Sequence, residues 1–330
     1  MKRVSFEAML MAEGFRILAM DLHSHLLEKK VKPKDYWGQA KKMGLDAIAI
    51  TEHADKDPKK AYFEAAKAKP KEMLLIPGME MNTEAGHVLI YADSARLYDF
   101  PELQEWGVKL QKVLEISKAE NFMVSIAHPW GFSYDSASYH LGGSKLAWFV
   151  RKNDIGVEAY DGMIGTLSEF IQDSKWLRRT LRFFDKVDRN RVASKMRINR
   201  LTNKLKKKLE HKSTEVINRC FLAMDLAKDA KFITAGSDAH YANRIGEGIL
   251  KIRAPEKAVI GNAELLELIR NRENVVWAGP YVEESADGSL EKKTAPLKKK
   301  EIILGIKYAV GEAFIGNRKR KTLKKKLKTI

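Results

Sequence analysis

Cysteine is nearly missing from this chain. Cys220 is the only one among 330 residues. A lone thiol excludes an internal disulfide and any thiolate-cluster metal site, and it suits a reducing compartment. Long apolar runs are missing as well. None reaches the length of a membrane span, and the N-terminal stretch lacks the apolar core and cleavage site of a secretory signal. The expectation is a cytoplasmic protein without a transmembrane segment. The rest of the composition is ordinary. The hydrophobic share is 45%, as in other globular proteins. A chain of this length buries a large core, as one α/β barrel or as two smaller domains.

Charge is where the chain departs from the average. The net charge is +17, unevenly spread. Residues 175–212 carry fifteen Lys and Arg against Asp185, Asp188 and Glu210, and residues 292–330 carry fourteen against Glu301 and Glu312. Each stretch is +12, so the remainder is −7. An acidic body with two basic appendages points to a catalytic core with separate docking elements for a polyanion, RNA or DNA. Abundant Lys and Glu also fit a heat-adapted surface.

The pattern along the chain is strand and helix in alternation. Short apolar runs at 17–21, 45–50, 73–76, 88–91, 122–127, 155–158, 232–234 and 274–278 read as strands. Helices are expected at 34–43, 58–69, 103–119, 143–152, 215–229 and 262–272. Pro33 suits a first helical turn, and Gly44 and Pro70 are stops. About seven parallel-type strands covered by helices imply an α/β fold with a parallel sheet.

The histidines sort themselves onto this pattern. His23, His25, His53, His128 and His240 each follow an apolar run directly, and His87 sits in the turn after the third. Only His140 and His211 fall outside. Asp21, His23 and His25 alternate, so all three are expected on one side of the first strand. In a barrel, strand C-termini are where catalytic groups gather. Six histidines there point to a metal cluster rather than to structural use.

These residues resemble the motifs of the PHP (polymerase and histidinol phosphatase) superfamily of metal-dependent phosphoesterases. Asp21-Leu22-His23-Ser24-His25 is similar to its first motif and Ile50-Thr51-Glu52-His53 to its second, usually Thr-Asp-His. Gly78-Met79-Glu80 with Gly86-His87, Ala127-His128-Pro129 and Gly236-Ser237-Asp238-Ala239-His240 complete the set in family order. The resemblance spans about residues 17–280. It implies a distorted (β/α)7 TIM-like barrel, within which 168–214 is a basic helical insertion; the charge pattern adds 290–330 as a basic C-terminal extension. It also implies metal ligands. His23, His25, Glu80 and Asp238 would hold one ion. Glu80 would bridge to a second, held by His87 and His128, and His53 and His240 would hold a third. Two departures stand out: Glu52 replaces the usual Asp, and residues 26–30 lack the family's usual extra ligand unless Glu28 turns in.

The chemistry also follows from the donors themselves. Imidazole and carboxylate without sulfur suit zinc, manganese or iron. Two or three such ions bind phosphoryl oxygens and generate a bridging hydroxide that attacks phosphorus in line. His53, His240 and Asp238 are the candidate catalytic residues, with His53 and His240 as proton sources for the leaving group.

Weaker signals have bland alternatives. Arg244, four residues after His240, suits a phosphate clamp or a surface position. Glu158 ends a strand and either supports a ligand or caps a loop. His140 and Trp130 are candidate substrate contacts, or a loop histidine and a packing tryptophan. Trp176, Leu177, Leu181 and Phe184, and Ile198, Leu201, Leu205 and Leu209, form two apolar stripes on basic helices. Folded together, those helices would expose a cationic face, with Lys204, Lys206, Lys207 and Lys208 as its candidate nucleic-acid contacts. The expected function is hydrolysis of a phosphate mono- or diester on a nucleotide or nucleic-acid end. The alternatives are a small-metabolite phosphatase of the histidinol-phosphate type, a non-catalytic nucleic-acid-binding barrel, and a C–N hydrolase of the amidohydrolase type.

Overall fold

The apolar run that leads to the first histidine pair is a strand, β1 (Phe15–Asp21). The computed structural model describes residues 14–131, 135–173, 175–188, 198–256, 258–280, 282–285 and 288–292. The side chains of Trp176, Leu177, Ile198, Leu201 and Lys208, and the whole tail from residue 293, lie outside that set. After β1 come α1 (Pro33–Lys42), β2 (Ala47–Ile50), α2 (Pro58–Lys67), β3 (Leu74–Thr83), β4 (Gly86–Tyr91) and α3 (Leu110–Ala119). β5 (Met123–Ile126), α4 (Ala137–Leu141), α5 (Gly143–Lys152), β6 (Gly156–Asp161), α6 (Gly162–Asp173), α7 (Lys175–Asp188) and α8 (Ile198–Ala227) follow. The described chain ends with β7 (Ile233–Gly236), β8 (Ile249–Pro255), α9 (Asn262–Arg270), β9 (Val275–Ala278), β10 (Val282–Glu284) and β11 (Leu290–Lys292).

Local chemistry explains the boundaries. Pro33 and Pro58 each begin a helix, where their missing N–H costs nothing. The helix expected over 103–119 is shorter. It begins only at Leu110, after a 3-10 turn at Pro101–Leu103, because Gly107 takes φ +80 and breaks the helical path.

The strands form one curled sheet in the order β11-β10-β9-β8-β1-β2-β3-β4-β5-β6-β7. Pairs β1–β2, β2–β3, β5–β6 and β6–β7 are parallel, as alternation predicts. Pairs β3–β4, β4–β5, β1–β8 and β8–β9 are antiparallel, which corrects the expectation of an all-parallel alternation. The reason at β3–β4 is simple. Glu84 and Ala85 alone separate the strands, and a parallel crossover needs a dozen residues. The curl brings β7 beside the end of β1. Leu22 N–H donates to Ala235 O at 3.2 Å and His25 N–H to Ala239 O at 3.0 Å.

Central strands are buried on both faces, as parallel sheets require. In β2, Ile48 and Ile50 pack with Tyr36, Trp37 and Ala40 of α1 and Ala61 and Ala65 of α2. The alternate residues Ala47 and Ala49 belong to the second, larger core with Met79, Val88, Ile126 and Val157. Opposite faces of one strand thus feed two cores, the period-two signature.

The expected insertion boundaries, 168 and 214, both fall inside helices, in α6 and α8. The helix expected over 215–229 is the second half of α8, which packs on β6, α6 and α7. Lys206 Nζ pairs with Asp185 Oδ1 at 2.5 Å and so ties α8 to α7. Neither helix hides its apolar residues fully: Leu205 is 46% exposed and Phe183 59%. No helix among the described residues is long and apolar enough to cross a membrane.

Candidate metal centre

The segment after β1 is fixed before its histidines can act. Ser24 Oγ donates to Ala49 O at 2.8 Å and meets Tyr36 Oη at 2.6 Å. Ser24 N–H donates to Thr51 Oγ1 at 3.0 Å, and Thr51 N–H returns to Ser24 O at 3.0 Å. These bonds lock the peptide between His23 and His25 to the end of β2. Gly236 completes the lock. A Cβ there would lie 2.3 Å from His23 Cβ, so only glycine lets β7 pass the first motif. His128 and Asp238 take φ of +23 and +49, uncommon for residues with a Cβ.

The fold brings His23, His25, His53, Glu80, His87, His128, Asp238 and His240 into one nest. Glu80, on β3, is its centre. Its Oε1 accepts from His87 Nδ1 at 2.6 Å and His128 Nε2 at 3.0 Å. Its Oε2 lies 3.5 Å from both His23 Nε2 and His25 Nε2. Asp238 Oδ1 lies 3.2 Å from His25 Nε2 and 3.5 Å from His23 Nε2. His87 is placed in β4 opposite Asn82 of β3, not in a turn, and so sits diagonally from Glu80.

Three carboxylates that sequence reading left aside or held open organise this nest. Glu28 turns in: its Oε2 lies 2.9 Å from His240 Nε2 and 3.3 Å from His53 Nε2. Residues 26–30 thus turn a carboxylate toward the His53 and His240 rings. Glu52 carries that loop. Its Oε2 accepts the N–H groups of Leu26 at 3.0 Å and Leu27 at 2.5 Å, a reach that its extra methylene over Asp supplies. Glu158 binds His23 Nδ1 through Oε1 at 2.9 Å and the His128 N–H through Oε2 at 2.7 Å. Asp21, by contrast, does not share a side with His23 and His25. Its carboxylate accepts the N–H groups of His23, Ser237 and Gly246, stapling three chain segments. A carboxylate at the start of a His-x-His motif reads equally as ligand or staple, so only the fold separates the two. Buried Asp135 and Asp161 also line the nest, 3.9 Å from His128 Nδ1 in the first case.

The electrostatics are those of carboxylates and imidazoles packed against one another in a buried volume. Burial opposes ionisation of Glu80, but His87, His53 and His23 outweigh it and hold its pKa well below the carboxylate range. Asp238 is likewise held down against burial, by His23 and His240. His23 is pushed well up by Glu158, Asp238 and Glu80 although burial opposes its charge. Asp161 goes the other way: burial, then Asp238 and Glu158, push it well up. His23 Nε2, His25 Nδ1 and Nε2, His53 Nδ1 and Glu80 Oε2 are buried without a hydrogen bond. His53 Nδ1 is only 3.0 Å from Glu80 Oε2, yet the two atoms are not aligned as donor and acceptor. Unbonded polar atoms converging in a buried volume are costly unless a partner joins them. The donor set fits divalent metal ions.

Other candidate residues lie elsewhere or face away. Arg244 is 8% exposed and its guanidinium is paired with Glu247. His140 is on α4 with its ring against Tyr139. Trp130 lines a small cavity with His128, Glu158, Asp161, Arg219 and Cys220. Lys206 is taken up by Asp185 and Glu210, while Lys204 and Lys207 are exposed on α8.

Comparison with known proteins agrees with this geometry. Residues 20–145 match the family model of the PHP domain. That stretch holds the first four motifs, through His128. No protein of curated function matches the sequence. Among solved structures, a two-domain protein from Bacteroides vulgatus ATCC 8482 containing a predicted PHP-like metal-dependent phosphoesterase is similar. The TM-score is 0.50 at 15% identity, over 89% of this chain and 71% of that one. At that identity the likeness speaks for the fold. Residues 20–145 thus match the PHP domain, and the likeness over the rest of the chain is one of fold.

Proposed function

We propose that the chain hydrolyses a phosphate ester on a nucleotide or a nucleic-acid end, at the nest around Glu80. The observation that carries this reading is the split of Glu80: Oε1 faces His87 and His128, and Oε2 faces His23, His25 and His53. A carboxylate so placed suits a bridge between two cations. His23, His25 and Asp238 would hold one ion, His87 and His128 a second, and His53, His240 and Glu28 a third. Zinc, manganese and iron all suit such nitrogen and oxygen donors. When bound, ions of this kind bind phosphoryl oxygens and acidify a water nucleophile.

The chain's own residues do the rest. Glu158 holds His23 so that Nε2 faces the nest. Glu52 holds the 26–30 loop over the mouth. His53 and His240 are the more exposed imidazoles, and both meet Glu28 at Nε2. Asp238 and Glu28 lift the His240 pKa to about 9 although burial opposes it. Where no ion takes that nitrogen, a proton held there is in place for a leaving alkoxide. The cationic arm, α7 and α8, supports a polyanionic substrate, with Lys204 and Lys207 exposed on it.

The test is metal analysis of the purified protein followed by a phosphate-release screen. Nucleotides, sugar phosphates and short RNA and DNA are compared at two salt concentrations. Release from nucleotides or oligonucleotides, with a KM that climbs with salt, is expected. Release from small metabolites alone, insensitive to salt, would move the substrate to the histidinol-phosphate class. No release from any phosphoester would overturn the reading.

A further inference from the structure

The mouth of the nest carries a cation that sequence reading passed over. Residues 26–31 make a tight turn, with Val31 N–H bonded to Leu26 O at 2.8 Å and Lys30 N–H to Leu27 O at 3.0 Å. Lys30 sits at φ +53 within it. Glu52 grips Leu26 and Leu27, and the turn directs Glu28 inward. Glu28 Oε2 faces His240 and His53. Its other oxygen, Oε1, accepts from Lys29 Nζ at 2.7 Å. The Lys29 ammonium is therefore one carboxylate away from two imidazoles of the nest. Lys29 is 41% exposed, and Tyr241, just after His240, is 53% exposed.

A phosphate dianion entering the nest meets a wall of carboxylates: Glu28, Glu80, Glu158 and Asp238. Beyond the cations that those groups hold, its outer oxygens need a positive partner at the rim. Arg244 does not serve, since it is buried against Glu247. Lys29 has what the position needs. Its ammonium has one carboxylate partner at 2.7 Å and is 41% exposed, so a second anion can reach it. It is anchored near the site by a half-exposed ion pair, which costs little to exchange for another anion. Its flexible stem and three rotatable donors let it follow a phosphate that turns.

The geometry points to Lys29 as the residue that grips a terminal, dianionic phosphate at the mouth of the site. This rests on the phosphoesterase reading for its substrate, yet its test separates from that reading. The experiment uses the full chain with its metals. Inorganic phosphate binding is measured by calorimetry, and KM and kcat are measured on p-nitrophenyl phosphate, for the wild type, Lys29→Met and Lys29→Arg. Metal content is measured on each. In Lys29→Met, phosphate affinity falls about tenfold and KM rises about tenfold, the loss of one charge-assisted hydrogen bond. There kcat changes by less than about threefold and metal content is unchanged, and Lys29→Arg recovers most of both losses. Unchanged KM and phosphate affinity in Lys29→Met overturns the assignment while leaving the hydrolase reading intact. Loss of metal with KM unchanged also overturns it, since Lys29 would then serve only to orient Glu28. Phosphate binding through Lys29 in a protein that hydrolyses nothing would support this assignment and defeat the hydrolase reading.

Discussion

Glu158 Oε1 lies 2.9 Å from His23 Nδ1, while its second oxygen accepts the backbone N–H of His128 at 2.7 Å. One buried carboxylate on β6 thus sets the tautomer of a histidine from β1 and the backbone of a histidine from β5. Both of its oxygens act as acceptors. Glutamine has one acceptor and one donor, so in Glu158→Gln an amide N–H must face another N–H. We expect Glu158→Gln to weaken metal binding by about 10–100-fold, the usual effect of losing a carboxylate behind a histidine ligand. Competition with a chromogenic chelator measures it, and circular dichroism checks that the fold persists. Wild-type metal affinity in this variant would sink the positioning role.

Glu28 makes a separable prediction. In Glu28→Ala, His53 and His240 lose their shared partner, but Glu80 and its four other imidazoles keep theirs. The protein should lose one metal per chain and retain the others. Metal stoichiometry by mass spectrometry, with anomalous diffraction to locate the loss, decides the matter. Equal loss from every position would show that Glu28 supports the whole nest.

Protonation gives a third test. His128 is lifted to about 10 by Glu80 and Asp135 although burial opposes its charge, and His240 to about 9 by Asp238 and Glu28. An unfolded imidazole titrates near 6.5. A raised folded pKa means that the folded state binds the proton more tightly. In chelator-treated protein this stabilisation is fully present below about pH 6.5 and is lost as pH rises through 9 and 10. Urea midpoints of that protein should fall across this window. Metals compete with the same protons, so loading releases protons and affinity rises with pH. Calorimetry in buffers of different ionisation heat reads the release; a titration with no proton exchange would contradict the assignment.

The passage of β7 past His23 predicts the effect of a single methyl. Gly236→Ala places a Cβ 2.3 Å from His23 Cβ and 2.4 Å from His23 N. Backbone must shift to relieve this, at a cost of about 1–3 kcal/mol. The melting temperature should drop, and metal content with it, because the displaced residue carries an imidazole. An alanine variant as stable and as metal-rich as the wild type would show that the segment yields more easily than the geometry implies.

The basic arm is tested with Lys204→Glu and Lys207→Glu together. Lys206 is left alone, since its bond to Asp185 joins α7 to α8. If the arm holds nucleic acid, affinity for single strands drops and the salt slope flattens by ~0.7 for each phosphate that the arm no longer neutralises. Binding isotherms at several salt concentrations, beside kcat on p-nitrophenyl phosphate, separate docking from chemistry. Unaltered affinity and slope would remove the arm from the binding surface.

The sequence by itself determined where the donors fall. His23, His25, His53, His128, Asp238 and His240 lie just past short apolar runs, and a strand end is a local property that composition and alternation express directly. The same local rules placed the starts of α1 and α2 at prolines and made β2 a strand buried on both faces. Tertiary structure decided which donors share a volume and what each carboxylate does. Asp21 and Glu158 look alike in sequence, as acids in or beside apolar strands. Asp21 became a staple because three N–H groups from distant segments converge on it, and Glu158 became a support because the curl sets β6 between β5 and β7, across from His23. Glu28 came to face His240 only because Glu52, 24 positions later in the chain, holds its loop. Arg244 was drawn off by Glu247, three residues away, on a turn whose direction no periodicity records. The β3–β4 hairpin changed the sheet from parallel to mixed. Chain direction in a sheet depends on connection length and on long-range pairing, and apolar runs carry no sign of it.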